Sequence, residues 1–390
     1  MKILFLHKWL VMGGIERILI NYLSILSQEE NLKIDVLIDY NTKDNVFGKE
    51  IPKEINITYL FDVDYFEYKT TLYRERNNSL IKKINYKYLN IKEKISKRKK
   101  LTNIIKNNNY DIIINFSDHF DPYIEFSKIN KPIIRWQHLA IHHIDKKQLK
   151  ILNQYQKIIS ICDDMKKAIV KDTNLPEHKI FTIYNPINIE KIRELSNTHN
   201  NEIQEKEYLI QVARLDKIKR HQDLIYIYSE LVRKGIYHKL LIIGDGPERE
   251  NLEQLIIKLN LQYKCLLLGE LSNPYPYMRN ADLFLHTSER EGLPTVLLES
   301  LVLGVPVISM DCPTGPREIL DNGKCGALIE MGNTQKFIDE VLTYLNTPKR
   351  AIECKQHINQ HILSFSETET KNKLITLLIE LTTPGANNGN

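Results

Sequence analysis

The stretch Asp282–Ser309, DLFLHTSEREGLPTVLLESLVLGVPVIS, decides the fold class. It opens with a short apolar run that predicts a buried strand, continues after Pro294 with a helical pattern, and closes with the apolar run Pro306–Ser309. A strand, a helix and a second strand in succession indicate a βαβ unit and therefore a parallel sheet. We expect an α/β protein.

Apolar runs followed by helical patterns recur in two series along the 390 residues. Residues 1–186 hold the first series, the polar stretch 187–206 predicts a linker, and residues 207–364 hold the second series. We expect two facing, doubly wound, Rossmann-like domains with the ligand site in the cleft between them. A closing helix is predicted within 365–383, and the tail 384–390 is predicted to be disordered.

Composition excludes several classes of protein. With 42% hydrophobic and 26% charged residues, the chain is typical of globular proteins and unlike collagen-like or disordered ones. The longest apolar stretch, Thr295–Met310, contains Glu299 and is too short to predict a membrane-spanning helix. His7 and Lys8 interrupt the apolar start, which predicts a first strand rather than a signal peptide.

The five cysteines are an odd number without CxxC spacing, so neither a disulfide framework nor a zinc site is predicted. A reducing cytoplasm is the expected compartment.

Positive charge is concentrated in the first half of the chain. Residues 1–200 hold 33 Lys and Arg against 24 Asp and Glu, and Leu80–Lys106 alone holds ten against one. Apolar residues recur in that segment at helical spacing, which predicts a basic amphipathic helix. Such a helix would lie on an anionic membrane surface, with Lys97–Lys100 among the basic groups that contact it. The alternative is an ordinary helix that packs against the core and has a solvated basic face. Nucleic acid is not an expected partner, because aromatic residues for base stacking are missing.

Glu291–Glu299 is the first candidate site. Pro294 suits the first position of a helix, so the free N–H groups of Thr295, Val296 and Leu297 would form an anion site behind the loop residues Gly292 and Leu293. Thr295 and Glu299 share a helix face, and a carboxylate there can accept hydrogen bonds from two vicinal hydroxyls of a ribose. Glu291 would face the group that is attached to the far end of a bound diphosphate. The alternative is that both glutamates are solvated surface residues.

The second candidate site is the basic loop Ala213–His221. Arg214 and Lys219 follow a predicted strand at its carboxyl end, where they can neutralise a diphosphate. A solvated basic loop is the alternative. Gly244–Pro247 resembles a phosphate-binding loop, but we interpret it as a structural turn.

Two further candidates lie in the first domain. Gly13 and Gly14 follow the first strand and would let the backbone approach a ligand, or they form a simple turn. His138 follows a buried strand on the cleft side, where it could contact a ligand. The alternative is a core histidine whose hydrogen bonds are all made within the protein.

Neither possible metal site in the first domain is convincing. His119, His142 and His143 lie near His138 but lack acidic or cysteine partners at metal-ligand spacing. The pair Asp62 and Asp64 is better interpreted as a solvated turn.

Together these residues resemble the retaining family-4 glycosyltransferases of the GT-B fold. The resemblance rests on Arg214 with Lys219, the E-x7-E spacing of Glu291 and Glu299, Gly13-Gly14-Ile-Glu-Arg and the closing helix. The segment Asp311–Leu320, DCPTGPREIL, resembles members that build bacterial surface polysaccharide, lipooligosaccharide and lipid-linked oligosaccharide.

The resemblance implies a role for each candidate residue. Glu299 would bind the ribose of a nucleoside-diphosphate sugar, Arg214 and Lys219 the diphosphate, and Glu291 the sugar hydroxyls. His138 would bind the sugar from the other domain, Gly13-Gly14 would line the cleft near the phosphates, and the loop at Leu271 would hold the base.

The implied reaction transfers a hexose or N-acetylhexosamine to a glycan acceptor, with a UDP-sugar as the favoured donor. It would retain the anomeric configuration of the sugar and would not need a metal. It would take place at the inner face of the cytoplasmic membrane. Two other functions remain open: a sugar-nucleotide 2-epimerase of the same architecture, and a non-catalytic partner that binds glycan or lipid.

Overall fold

The computed structural model describes residues 1–138, 144–198 and 207–383. Two compact units divide the chain. The first comprises Met1–Ile161, Lys166–Pro186 and the chain from Thr370 onward, and the second comprises Cys162–Met165 and Ile187–Glu369.

The first unit contains a parallel sheet of seven strands in the order β3-β2-β1-β4-β5-β6-β7. The strands are β1 (Lys2–His7), β2 (Lys33–Tyr40), β3 (Asn56–Phe61), β4 (Ile112–Asn115), β5 (Ile133–Gln137), β6 (Lys157–Ser160) and β7 (Ile180–Thr182). The helices around them are α1 (Gly14–Leu26), α2 (Val63–Glu75), α3 (Leu80–Asn107), α4 (Lys146–Leu152) and α5 (Asp163–Thr173). Nearly all residues of β1 and β4 are buried, as expected for central parallel strands.

The second unit repeats this arrangement with six parallel strands in the order β10-β9-β8-β11-β12-β13. These are β8 (Tyr208–Val212), β9 (Lys239–Ile243), β10 (Cys265–Gly269), β11 (Leu283–His286), β12 (Val307–Met310) and β13 (Gly326–Ile329). The helices are α6 (Ile189–Ser196), α7 (His221–Arg233), α8 (Arg249–Lys258), α9 (Tyr275–Arg279), α10 (Thr295–Val302), α11 (Pro316–Ile319), α12 (Thr334–Asn346) and α13 (Pro348–His361). Both predicted Rossmann-like sheets are confirmed.

Each sheet reverses its strand order beside its first strand, between β1 and β4 and between β8 and β11. Ligands of open α/β sheets bind at such a switch point, outside the carboxyl ends of the strands. The loops that follow these strands are therefore where a ligand site is expected in each unit.

The predicted linker 187–206 was partly wrong. Helix α6 occupies Ile189–Ser196, with Asn188 as its N-cap and Ile192 buried in the second unit. The low apolar content concealed this helix, although the cap residue before Ile189 was a signal for it. Residues 199–206 of the predicted linker and the predicted disordered tail 384–390 lie outside the described residues.

The closing helix α14 (Glu367–Thr382) returns to the first unit, as predicted. Leu374, Leu377 and Leu378 are buried there, and Lys371 Nζ donates to Glu29 Oε1 at 2.5 Å. Burial of this apolar face completes the core of a unit whose other elements lie more than 180 residues earlier in the chain.

Candidate active site

Arg214 lies on the loop after β8, at the carboxyl edge of the second sheet. Its side chain is exposed and has no hydrogen bond or ion pair within the described part of the chain. The loop packs backbone to backbone against Gly244 and Gly246, where added Cβ atoms would lie 2.1 Å from Ala213 O and 2.4 Å from Leu215 O. These glycines therefore have the structural role predicted for them, and the close packing fixes the backbone that carries Arg214.

Arg214 and the predicted base-binding loop line the same cavity, which has a volume of about 370 Å³. Leu271 also lines this cavity and follows Gly269, which ends β10 with a φ of +77°. The remaining lining residues are Val212, Ala213, Ile243, Gly244, Asp245, Glu270 and Pro274. Its size fits a small planar group beside a guanidinium.

Lys219 and Glu291 are paired with each other rather than held apart. Lys219 Nζ donates to Glu291 Oε1 at 2.7 Å, and His286 Nε2 lies 3.1 Å from the same oxygen. Burial raises the pKa of Glu291, but hydrogen bonds and charge from His286 and Lys219 outweigh it and hold the pKa at about 2. The carboxylate is therefore ionised, and its Oε2 accepts no hydrogen bond from the described residues.

Sequence reasoning missed His286, the last residue of β11, whose Nδ1 lies 2.8 Å from Ser309 Oγ on the neighbouring strand. A polar residue at the end of an apolar strand was the available signal.

Helix α10 begins one residue later than predicted. Pro294 is its N-cap, with φ −70° and ψ 92°, instead of its first helical residue. The N–H of Leu297 donates to Pro294 O at 3.0 Å, so the prediction that Leu297 offers a free N–H was wrong. Thr295 and Val296 keep free N–H groups at the helix start.

The loop before α10, with Gly292 and Leu293, is braced by Thr314 and Gly315, to which the sequence analysis gave no part in the site. Thr314 Oγ1 donates to Glu291 O. Gly315 has a φ of +92°, and a Cβ there would lie 2.5 Å from Pro294 Cδ. Only glycine fits this close approach.

Glu299 is half-buried and has no hydrogen bond or ion pair within the described ranges. Burial raises its pKa to about 7. A carboxyl group of this kind gains from a ligand that donates hydrogen bonds to it.

In the first unit, Gly13 and Gly14 lie at the start of α1. Glycine is required at position 13 because the side chain of Glu16 occupies the space that a Cβ atom would take. A Cβ at Gly13 would lie 2.2 Å from Glu16 Oε2, whereas one at Gly14 would meet nothing within 4 Å. Glu16 Oε1 in turn accepts from Trp9 Nε1 at 3.1 Å. Gly13 thus makes room for Glu16, and the space beside Gly14 stays open.

His138 follows β5 and is buried beside Phe116, with ring centroids 4.6 Å apart. Burial lowers its pKa to about 3, so the ring is neutral, and its Nε2 has no partner in the described chain. A cavity of about 40 Å³, lined by His138, Ile15, Ser117 and Asp118, lies next to it. The position fits both the predicted sugar contact and a core histidine.

No group of three metal-binding side chains occurs among the described residues, which do not include His142 and His143. Asp62 caps α2 by accepting from Tyr65 N at 2.9 Å.

The predicted basic helix is α3, and its two halves differ. Lys97, predicted to lie among the membrane-facing basic groups, is buried and pairs with Asp39 at 2.5 Å, so that placement was wrong. The part of α3 from Leu80 to Ile95 instead exposes six large apolar side chains, between 56% and 72% accessible: Leu80, Ile81, Ile84, Tyr88, Ile91 and Ile95. We call these six residues the α3 stripe. No helix in the described residues is long and apolar enough to cross a membrane.

Two family models match the chain, one in each half. Residues 59–191 match the model described as Glycosyltransferase Family 4, and residues 193–361 match Glycosyl transferases group 1. The chain is 34% identical over 181 residues to N-acetylgalactosamine-N,N'-diacetylbacillosaminyl-diphospho-undecaprenol 4-alpha-N-acetylgalactosaminyltransferase of Campylobacter jejuni, covering 46% of this chain and 48% of that protein. The chain spans about half the length of the curated relatives it matches.

Solved structures match over nearly the whole chain. The lipopolysaccharide outer core galactosyltransferase WaaB in its apo form has a TM-score of 0.72 at 21% identity, covering 97% of this chain and 99% of that one. HepE of Anabaena in complex with UDP has a TM-score of 0.76 at 18% identity, covering 98% and 100%. At these identities the likeness is one of fold, and it confirms the predicted fold class.

Proposed function

The chain belongs to the glycosyltransferases that join a family 4 domain to a group 1 domain, and from this premise we propose that it transfers a sugar from a nucleoside-diphosphate donor to a glycan. The donor sugar is a hexose or N-acetylhexosamine, with UDP as the favoured nucleotide. The acceptor belongs to bacterial lipopolysaccharide, lipooligosaccharide, surface polysaccharide or lipid-linked oligosaccharide synthesis. The similar transferase of Campylobacter jejuni and the WaaB structure support this class of acceptor.

The observation that carries the proposal is the set of side chains at one edge of the second sheet. Arg214, unpaired within the described chain, lines a cavity after β8, Lys219 and Glu291 pair on neighbouring loops, and Glu299 lies on helix α10. A nucleoside diphosphate offers matching groups: a base for the cavity, hydroxyls for Glu299 and negative charge for the two cations.

Cleavage of the anomeric C–O bond leaves negative charge on the departing diphosphate. Arg214, Lys219 and the free N–H groups of Thr295 and Val296 would stabilise that charge without a metal. The anomeric configuration is retained if the acceptor hydroxyl attacks from the face that the diphosphate leaves. The hydroxyl then passes its proton to a diphosphate oxygen. Glu291, held ionised, would accept hydrogen bonds from the sugar through its free Oε2. The roles of Gly13, Gly14 and His138 stay predictions.

The first experiment is thermal unfolding of the protein with a panel of nucleoside diphosphates and sugar nucleotides, without added metal. A ligand that binds only the folded state raises the Tm by mass action. We expect a shift with one nucleotide that disappears in Glu299→Ala and persists in Glu250→Ala, an exposed glutamate of the same unit. No shift with any nucleotide would contradict the proposal and favour the non-catalytic partner.

Incubation with the donor alone separates the transferase from the epimerase. An epimerase releases the epimeric sugar nucleotide without an acceptor, whereas a transferase leaves the donor intact or hydrolyses it slowly. Appearance of epimer would overturn the transferase proposal.

We also propose that the protein works at the inner face of the cytoplasmic membrane and binds it through α3. The α3 stripe is apolar, and its flanking Lys83, Lys87, Lys92 and Lys94 are exposed without ion pairs in the described chain. A cationic helix repels a second copy of itself and attracts anionic lipid, which favours the membrane over self-association.

A further inference from the structure

A histidine–carboxylate bridge crosses the carboxyl edge of the first sheet. Asp39 lies near the end of β2, and His119 lies on the loop after β4. His119 Nε2 is 2.5 Å from Asp39 Oδ2. Because β1 lies between β2 and β4, the bridge passes over the end of β1 at the switch point of the sheet.

The bridge leaves one ring nitrogen of His119 available to a ligand. Lys97 Nζ donates to the same Asp39 oxygen at 2.5 Å, and both side chains are fully buried, so this oxygen is an acceptor that faces Lys97 and His119 together. The His119 proton therefore resides on Nε2, and burial lowers the pKa of the ring. Nδ1 is then a bare acceptor, and it makes no hydrogen bond to any described residue.

Two charged side chains on the same edge make no hydrogen bond or ion pair to a described residue. Lys8 directly follows β1 and accepts from Tyr40 N at its carbonyl, while its half-buried ammonium lies 3.6 Å from the Trp9 ring centroid. Asp118 precedes His119 and is exposed. Neither side chain has an ion pair or hydrogen bond in the described ranges, although each acts on the other through its charge.

These three groups are complementary to hydroxyls. A hydroxyl donates to a carboxylate or to a bare ring nitrogen and accepts from an ammonium, so neighbouring hydroxyls can satisfy all three at once. An anion would meet the unpaired Asp118 carboxylate. At the switch point of the sheet, where ligands of such sheets bind, these side chains can contact a ligand without first breaking a hydrogen bond or ion pair to a described residue.

We propose that Lys8, Asp118 and His119 form a subsite that binds the hydroxyls of a sugar ring in the acceptor. This rests on the proposed transferase function, since the donor residues Arg214, Lys219 and Glu299 all belong to the other unit. Asp118 also lines the small cavity beside His138, so the subsite continues toward the predicted sugar contact.

Saturation-transfer NMR with simple glycosides tests the subsite directly. The probes are the methyl α-glycosides of glucose, galactose, N-acetylglucosamine and N-acetylgalactosamine, each added to the full chain with UDP present. We expect binding of at least one, weakened about tenfold or more in Asp118→Asn and in His119→Gln, since each loses a hydrogen bond to a ligand. Asp44→Asn, an exposed aspartate of the same unit, should bind like the unaltered protein.

The UDP-induced rise in Tm is the second readout. It should be unchanged in Asp118→Asn and His119→Gln, which shows that the variants fold and keep the donor site. Failure of every glycoside to bind, or equal binding by both variants, overturns the subsite. Glycoside binding that depends on Asp118 and His119, without any response to nucleotides, supports the subsite and contradicts the proposed transferase.

Discussion

At the scale of single residues, the two cations of the proposed donor site differ in whether they already have a counterion. Arg214 is exposed and unpaired within the described chain, so it can meet an anion without breaking a contact. Lys219 is held by Glu291 at 2.7 Å and must exchange that partner for a diphosphate. Sequence spacing indicated both residues but could not show that one of them already has a counterion.

Arg214→Ala and Lys219→Ala should lower turnover more than donor affinity. Charge on the leaving diphosphate grows in the transition state, so losing one stabilising group should reduce kcat by about 100-fold with a smaller change in KM. Steady-state kinetics with the donor found by thermal unfolding measures this, and Arg233→Ala, an exposed residue of the same unit, is the control. An unchanged kcat in both variants would contradict the diphosphate role.

Glu299 predicts a pH dependence of nucleotide binding. Its pKa is raised to about 7 by burial, and a ligand that donates two hydroxyl hydrogen bonds binds the ionised form. Protonation as the pH falls through 7 should therefore weaken binding, and Glu299→Gln should remove this component.

Titration calorimetry of UDP at pH 6, 7 and 8, with the variant beside the unaltered protein, checks the prediction. The comparison also cancels the titration of the nucleotide's own phosphate. Identical pH profiles for the two proteins would show that Glu299 does not bind the ligand.

At the scale of elements, one end of α3 packs into the first unit and the other end is exposed to solvent. Its second half is anchored by Lys97, which pairs with Asp39 and Glu93, while the part from Leu80 to Ile95 presents the α3 stripe to solvent. Helical spacing in the sequence predicted the amphipathic pattern but not which half packs. Burial of a lysine depends on carboxylates from β2 and from the helix itself, and the first of these is distant in sequence.

The double change Ile84→Ser and Ile91→Ser should reduce vesicle binding at least tenfold. Each isoleucine that inserts contributes roughly 1.5–3 kcal/mol, and serine does not. Flotation with vesicles of phosphatidylglycerol and phosphatidylcholine measures the bound fraction. Ile257→Ser, an equally exposed isoleucine on α8 of the other unit, is the matched control.

Vesicles of phosphatidylcholine alone separate the contributions of charge and insertion, because the lysines lose their attraction there. Undiminished flotation of the double variant would contradict insertion of the α3 stripe. A concentration-dependent dimer of the unaltered protein that this variant abolishes would indicate that a second copy covers the stripe instead.

At the scale of the whole molecule, the chain ends in the unit where it began. The apolar face of α14 completes the first unit's core, so the second unit is inserted between two parts of the first. Stability of the first unit therefore depends on residues beyond Thr370.

Leu377→Ala should destabilise the first unit by about 2–5 kcal/mol, the usual cost of a buried leucine truncation. Thermal unfolding measures the loss, and Ile379→Ala, which removes a mainly exposed side chain from the same helix, is the control. Equal effects of both changes would indicate that α14 does not pack as described.

The sequence by itself determined the two sheets, because alternating apolar runs and helical patterns are local signals. It also placed Arg214, Lys219 and Glu291 on loops that follow strands, and Glu299 on the helix after Pro294, because these positions follow from the local pattern. Helix α6 escaped detection because its few apolar residues resemble a polar connection.

Only the tertiary structure decided which of these groups meet. The Lys219–Glu291–His286 cluster, the bracing of Glu291 by Thr314 and the bridge from His119 to Asp39 join residues on strands or loops that are separated in sequence. Contacts of that kind depend on strand order and loop packing, which leave no periodic trace along the chain. The same is true of Lys97, whose charge predicted a solvated residue until its carboxylate partners were located.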